Sequence, residues 1–145
     1  MHMENGKEII IDAKLDCLYQ AMDLVAAELD EKDVSEDVRQ TIYFGLEEML
    51  VNVASYAYPD GNGKARVRVS FPKENFIRID IWDNGTPFDP TKKADPDVSV
   101  PLKQRKVGGL GIYMTKKIMD EMSYEYVDGA NHTILIKDLR QVKIQ

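Results

Sequence analysis

After Ile42 the chain is almost uniformly apolar as far as Tyr58, interrupted chiefly by Glu47, Glu48 and Asn52. Asp33 and Glu36 stand at capping-box distance ahead of this run, and Pro59 closes it, so the spacing predicts a helix over residues 33–58. A helix that is apolar nearly all round cannot face water and has to be buried between other elements. The rest of the chain must therefore supply the surfaces that cover it.

Those surfaces are readable by their periods. Glu8-Ile9-Ile10-Ile11 is rich in β-branched residues and reads as a short strand. Leu15, Leu18, Met22, Val25 and Leu29 recur at helical spacing and predict an amphipathic helix. The run from Pro59 through Asp60-Gly61-Asn62-Gly63 is a turn by composition. Val67, Val69 and Phe71 alternate with Arg66, Arg68 and Ser70, and Ile77, Ile79 and Ile81 alternate with Arg78, Asp80 and Trp82. Two alternating runs across a short polar turn predict an antiparallel hairpin. The pattern vanishes over residues 89–107, which hold Pro90, Pro96 and Pro101; loops of this length in compact domains are commonly functional. A third helix is expected over residues 112–122, then strands over 124–127 and 133–136 joined at Asp128-Gly129. The order predicts an α+β, two-layer sandwich: a mixed, mostly antiparallel sheet covered on one face by helices.

The chain's 145 residues fit a single domain. A formal net charge of −6 argues against nucleic acid as a direct partner, since phosphate binding leaves a basic footprint. The only cysteine, Cys17, cannot form an intrachain disulfide. Neither a signal peptide nor an apolar run of the ~20 residues needed to span a bilayer is present, so the expected setting is cytoplasmic.

Three groups of residues could carry chemistry, and each admits a plain reading as well. Glu48 and Asn52 lie four apart and share a helix face. They are either an exposed polar stripe or a working pair, with Asn52 giving an oxygen to Mg²⁺ and Glu48 orienting or activating a nucleophile. One amide is sufficient for an ion that keeps several waters and takes substrate phosphates. Asp83-Asn84-Gly85 is either a turn or a carboxylate set to accept from an adenine amino group, with Gly85 permitting close approach. Gly108-Gly109-Leu110-Gly111 precedes a helix, where it is a hinge or a set of amides that hold phosphate oxygens. It is neither a Walker loop nor a dinucleotide fingerprint. Arg105 and Lys106, just upstream, are a solvated charge run or contacts to a terminal phosphate.

Taken in order, these elements resemble a GHKL-type ATPase with the Bergerat ATP-binding fold. Residues 48–52 resemble its N box, Asp83-Asn84-Gly85 its first glycine box and Gly109-Leu110-Gly111 its second, over residues 13–137. Within that superfamily residues 48–59, 83–89 and 108–113 are most similar to bacterial anti-sigma-factor serine kinases. The resemblance implies ATP and Mg²⁺ as cofactors, Asn52 as metal ligand, Glu48 as catalytic carboxylate and Asp83 as adenine acceptor. It also implies a close-approach role for Gly85, phosphate contacts by Gly109 and Gly111, an adenine-site role for Thr133, and an ATP lid over residues 89–107. The implied partner is an anti-anti-sigma (STAS-domain) protein phosphorylated on serine, with a sigma factor sequestered by a homodimer in many such proteins. Two positions depart from the pattern. Tyr56 stands where the family has histidine, and its hydroxyl would replace part of that residue's phosphate contact; His132 stands in place of glycine, which bears on the adenine end of the pocket. The competing functions are a nucleotide-gated protein-binding module without kinase activity and a catalytic fragment of a sensor histidine kinase.

Overall fold

A computed structural model describes residues 6–92 and 109–140. The elements run β1 (Lys7–Asp12), α1 (Tyr19–Asp30), α2 (Glu36–Asn52), β2 (Lys64–Lys73), β3 (Phe76–Asp83), α3 (Gly109–Ile118), β4 (Glu121–Val127) and β5 (Ala130–Asp138). The strands form one sheet in the order β1-β2-β3-β5-β4. Every pairing in it is antiparallel, so the mixed sheet expected from the sequence is corrected to a fully antiparallel one. The reason is topological: the connection through α3 carries the chain to the far edge, and β5 then returns by a hairpin into the gap beside β3. Asp128 and Gly129, at φ 54° and 78°, make the two-residue turn of that hairpin, a conformation that suits Asp-Gly.

Alternation divides the sheet into two faces. Ile11, Val67, Val69, Ile77, Ile79, Ile81 and Leu135 are all within 2% of complete burial and meet the helices. The helices answer with Ala21, Val25 and Leu29 of α1, Ile42, Leu46 and Leu50 of α2, and Ile112 of α3, with Met119 just past the end of α3. The other face is polar and aromatic: Arg66 lies 3.7 Å above the Trp82 ring, and Trp82 stacks on His132 at 4.4 Å between centroids. The two-layer sandwich read from the sequence is thus the architecture observed.

Several boundaries differ from expectation. Leu15 belongs to a short 3₁₀ turn, Leu15–Cys17, ahead of α1. That change of register takes it off the buried stripe, and it stays 64% exposed while Leu18 is buried. Helix α2 is capped by Ser35, whose hydroxyl accepts from the Val38 amide at 3.3 Å, and not by Asp33. Arg39 determines this choice: its guanidinium binds the Asp30 carboxylate and the Leu29 carbonyl, and through Nε the Val34 carbonyl, which ties the end of α1 to the first turn of α2. Helix α3 ends at Ile118 because the Asp120 amide turns to the Ile136 carbonyl and starts the sheet pairing of β4. Replacing Ser35 by alanine is expected to cost about 0.5–1 kcal/mol, and Asp33→Ala close to nothing, in urea unfolding followed by far-ultraviolet circular dichroism.

Candidate functional site

The site begins where α2 loses its regular period. From Val53 to Ala57 the backbone widens into a π turn, so the helix expected to reach Tyr58 ends in a bulge. The bulge presents the Ala57 carbonyl to the turn that follows β3, where it accepts from the Thr86 amide at 2.7 Å. Gly85 lies against the same carbonyl, and a Cβ at this position would stand 2.3 Å from that oxygen. Tyr58 adds a second tie: its hydroxyl donates to the Lys64 carbonyl and accepts from the Asn84 amide at 2.9 Å.

Between α2 and the sheet these ties leave a cavity of about 160 Å³. Asn52, Tyr56, Asp83 and Thr133 all line it, together with Met49, Ile81 and other largely apolar neighbours. Asp83, at the end of β3, is 7% exposed. Its Oδ1 accepts from the Gly85 amide and from Asn131 Nδ2, each at 2.9 Å. The side chain of the half-buried Asn52 makes no hydrogen bond to another described residue, which leaves its amide oxygen, at the cavity wall, available to a hard cation. Tyr56 remains 52% exposed.

Glu48 lies one helical turn before Asn52 and is half-buried. Burial, and then the neighbouring charge of Glu47, raise its pKa above the ordinary 4.5. Gly111 packs directly on it: a Cβ there would come within 1.8 Å of Glu48 Oε1. Gly109, Leu110 and Gly111 were expected to precede a helix starting at Ile112, but they form the first turn of α3 itself. Their backbone N–H groups are therefore among those a helix leaves without intrahelical partners. Arg105, Lys106 and Gly108, and the expected lid over residues 89–107 beyond Lys92, lie outside the described residues. Among the described residues no group of three or more His, Cys, Asp or Glu side chains could hold a metal.

His132 corrects an expectation. The position was read as bearing on the adenine end of the pocket, but alternation along β5 places its side chain on the opposite sheet face from Asn131 and Thr133. There its Nδ1 meets Glu125 at 2.8 Å and its Nε2 meets Asp80 at 2.7 Å. Sequence reasoning missed Asn131, although its place two residues before Thr133 on one strand face was a usable signal.

Residues 11–137 match the histidine kinase-like ATPase domain family. The chain belongs to that family. It is 30% identical to the serine/threonine-protein kinase BtrW of Bordetella bronchiseptica over 70% of this chain and 71% of that one. It is 28% identical to the serine-protein kinase RsbW of Bacillus thuringiensis over 58% of this chain. The match covers 54% of that RsbW, so the chain spans about half the length of such relatives. A solved structure of the RsbU and RsbW domains from Mycobacterium tuberculosis shares the fold, with a TM-score of 0.64 at 16% identity over 95% of this chain and 32% of that one. Among the described residues no helix is long and apolar enough to cross a membrane.

Two outcomes follow from the packing. Gly85→Ala would press a methyl group into fixed backbone and is expected to destabilise by about 1–3 kcal/mol in urea unfolding. Glu48 has a folded pKa above its unfolded value, so its contribution is full below pH 4.5 and is lost as pH rises through the folded value. Glu48→Gln should accordingly unfold at higher urea than the parent at pH 7, and the two should converge near pH 4.

Proposed function

We propose that this protein is an ATP- and Mg²⁺-dependent serine protein kinase of the anti-sigma-factor type, acting on a serine of an anti-anti-sigma (STAS-domain) partner. The observation that carries the reading is the pairing on one face of α2: a desolvated carboxylate, Glu48, one turn from an unengaged amide, Asn52, that lines the same cavity as Asp83 and Thr133. A domain that only bound nucleotide would have no need to keep Glu48 against the first turn of α3. BtrW and RsbW, which are named as serine/threonine- and serine-protein kinases, support the transfer reading.

In this reading Asp83 and Thr133 take the adenine end and Asn52 supplies a ligand oxygen to the metal. Amide oxygen is a donor that suits Mg²⁺, and the ion when bound would neutralise charge on the phosphate oxygens. Tyr56 borders the phosphate end, and the N–H groups of Gly109, Leu110 and Gly111 donate to phosphate oxygens. Arg105, Lys106 and Gly108 are assigned to the terminal phosphates by the same reading. Glu48 orients the partner's serine and takes its proton as the serine oxygen bonds to the γ-phosphorus and the bond to the β,γ-bridging oxygen breaks. A pKa raised by burial makes it a better base than an exposed glutamate. Such transfer depends mainly on positioning and charge stabilisation. Sequestration of a sigma factor by a homodimer belongs to the same proposal, as does a cytoplasmic setting.

An autokinase acting on its own histidine receives no support from the described residues. The chain has two histidines. His132 is buried with both ring nitrogens against carboxylates, and His2 lies outside the described residues.

The test is single-turnover transfer from γ-labelled ATP to a STAS-domain protein encoded beside the gene, with the modified residue located by mass spectrometry. Glu48→Gln is expected to lower transfer about 10²–10⁴-fold while leaving nucleotide affinity within a few-fold. Asn52→Ala should weaken nucleotide binding in Mg²⁺ more than in its absence. Unimpaired transfer by Glu48→Gln would remove the catalytic assignment, and γ-phosphate left on ATP by the parent protein would favour a nucleotide-gated binding module.

A further inference from the structure

Asn131 is the most fully engaged polar side chain around the cavity. It is 4% exposed, stands directly across from Asp83 in the β3–β5 register, and lines the cavity. Its Oδ1 accepts from the Phe88 amide at 3.1 Å and from the Tyr124 hydroxyl. Its Nδ2 donates to the Thr86 carbonyl at 3.1 Å and to Asp83 Oδ1 at 2.9 Å. Two donors on one end and oxygens on the other fix which way the amide faces. The consequence falls on Asp83. Its Oδ1 already accepts from the Gly85 amide, so the bond from Asn131 fills that oxygen, while Oδ2 accepts from no described residue.

We propose that Asn131 is a positioning residue for base selection: by locking the Asp83 carboxylate with Oδ1 filled, it leaves one acceptor, Oδ2, for a purine that carries a 6-amino group. The inference rests on the reading of Asp83 as the adenine acceptor. Without Asn131 the carboxylate can rotate about its last torsion and offer either oxygen to water or to its own turn, so the acceptor ceases to be held ready. A buried acceptor left unmatched penalises a ligand that lacks the donor far more than a loose one does. The neutral amide achieves this without adding a charge beside the base.

The experiment compares two nucleotides that differ only in the 6-amino group: ATP and purine riboside 5′-triphosphate, each with Mg²⁺, by calorimetric titration. The parent protein is expected to prefer ATP by at least about tenfold. Asn131→Ala is expected to bring that preference to about threefold or less, with affinity for purine riboside triphosphate changed less than about threefold. Tyr124→Phe, which removes one anchor of the amide and keeps Asn131, should lower the preference in the same direction by a smaller factor and serves if Asn131→Ala does not fold. A preference unchanged in the variants that fold, or equal weakening of both nucleotides, assigns Asn131 a structural part only and overturns the inference. Absence of any preference in the parent protein instead removes the adenine-acceptor role of Asp83, and the inference with it.

Discussion

The hydrogen bond from the Thr86 amide to the Ala57 carbonyl is the contact on which the arrangement of the site turns. Apolar packing holds α2 on the sheet, but burial is non-directional and tolerates small slides and rotations. A backbone bond of 2.7 Å between the end of α2 and the turn after β3 does not. It is possible because the π turn aims the Ala57 carbonyl away from the helix axis, and because Gly85 carries no side chain to keep the two backbones apart. The result is that Asn52, on the helix, and Asp83, on the strand, stand on two walls of one cavity. A site that works by positioning needs that kind of constraint, since small displacements of reacting groups carry large rate penalties.

How much of this could be read from the sequence varies with the physics involved. The strands were legible because alternation is a two-residue period that burial enforces: Val67, Val69, Ile77, Ile79 and Ile81 are all at or below 2% exposure. The Asp128-Gly129 hairpin was legible because both residues must take positive φ, which few pairs tolerate. The π turn was not, because Val53 to Ala57 have no composition that separates a widened turn from a regular one; the Thr86 bond and the Gly85 contact that stabilise it come from distant sequence. The N-cap was misread at Asp33 for a related reason. Asp33 and Ser35 both carry capping side chains, and Arg39, reaching back to α1, settles which of them begins the helix.

Within the site, legibility followed the same division. Asn52 and Asp83, which alone each had a plain structural reading, were singled out through the order of motifs, and Thr133 only through the family resemblance; all three line one cavity. Gly85 and Gly111 were recognisable as glycines but not by their contacts, the Ala57 carbonyl and the Glu48 carboxylate. Asn131 belongs to no motif, and its importance comes from strand register, which brings it opposite Asp83. Register depends on where β5 pairs, a long-range property that local pattern does not fix.

The back of the sheet explains why a histidine is tolerated at position 132. Successive residues of a strand serve opposite faces, so Asn131 and Thr133 line the cavity while His132 joins the polar face behind it. There the Arg66 guanidinium, the Trp82 indole and the His132 imidazole form a stack across β2, β3 and β5. Asp80, held by both Nε and Nη2 of Arg78, closes one side of the imidazole and Glu125 the other. Aromatic pairs of this kind contribute about 0.5–1.5 kcal/mol beyond their buried area. The stack falls at the end of β3 and β5 where Asp83 and Asn131 also stand, and His132 contributes to it from the sheet face behind the cavity without lining the cavity.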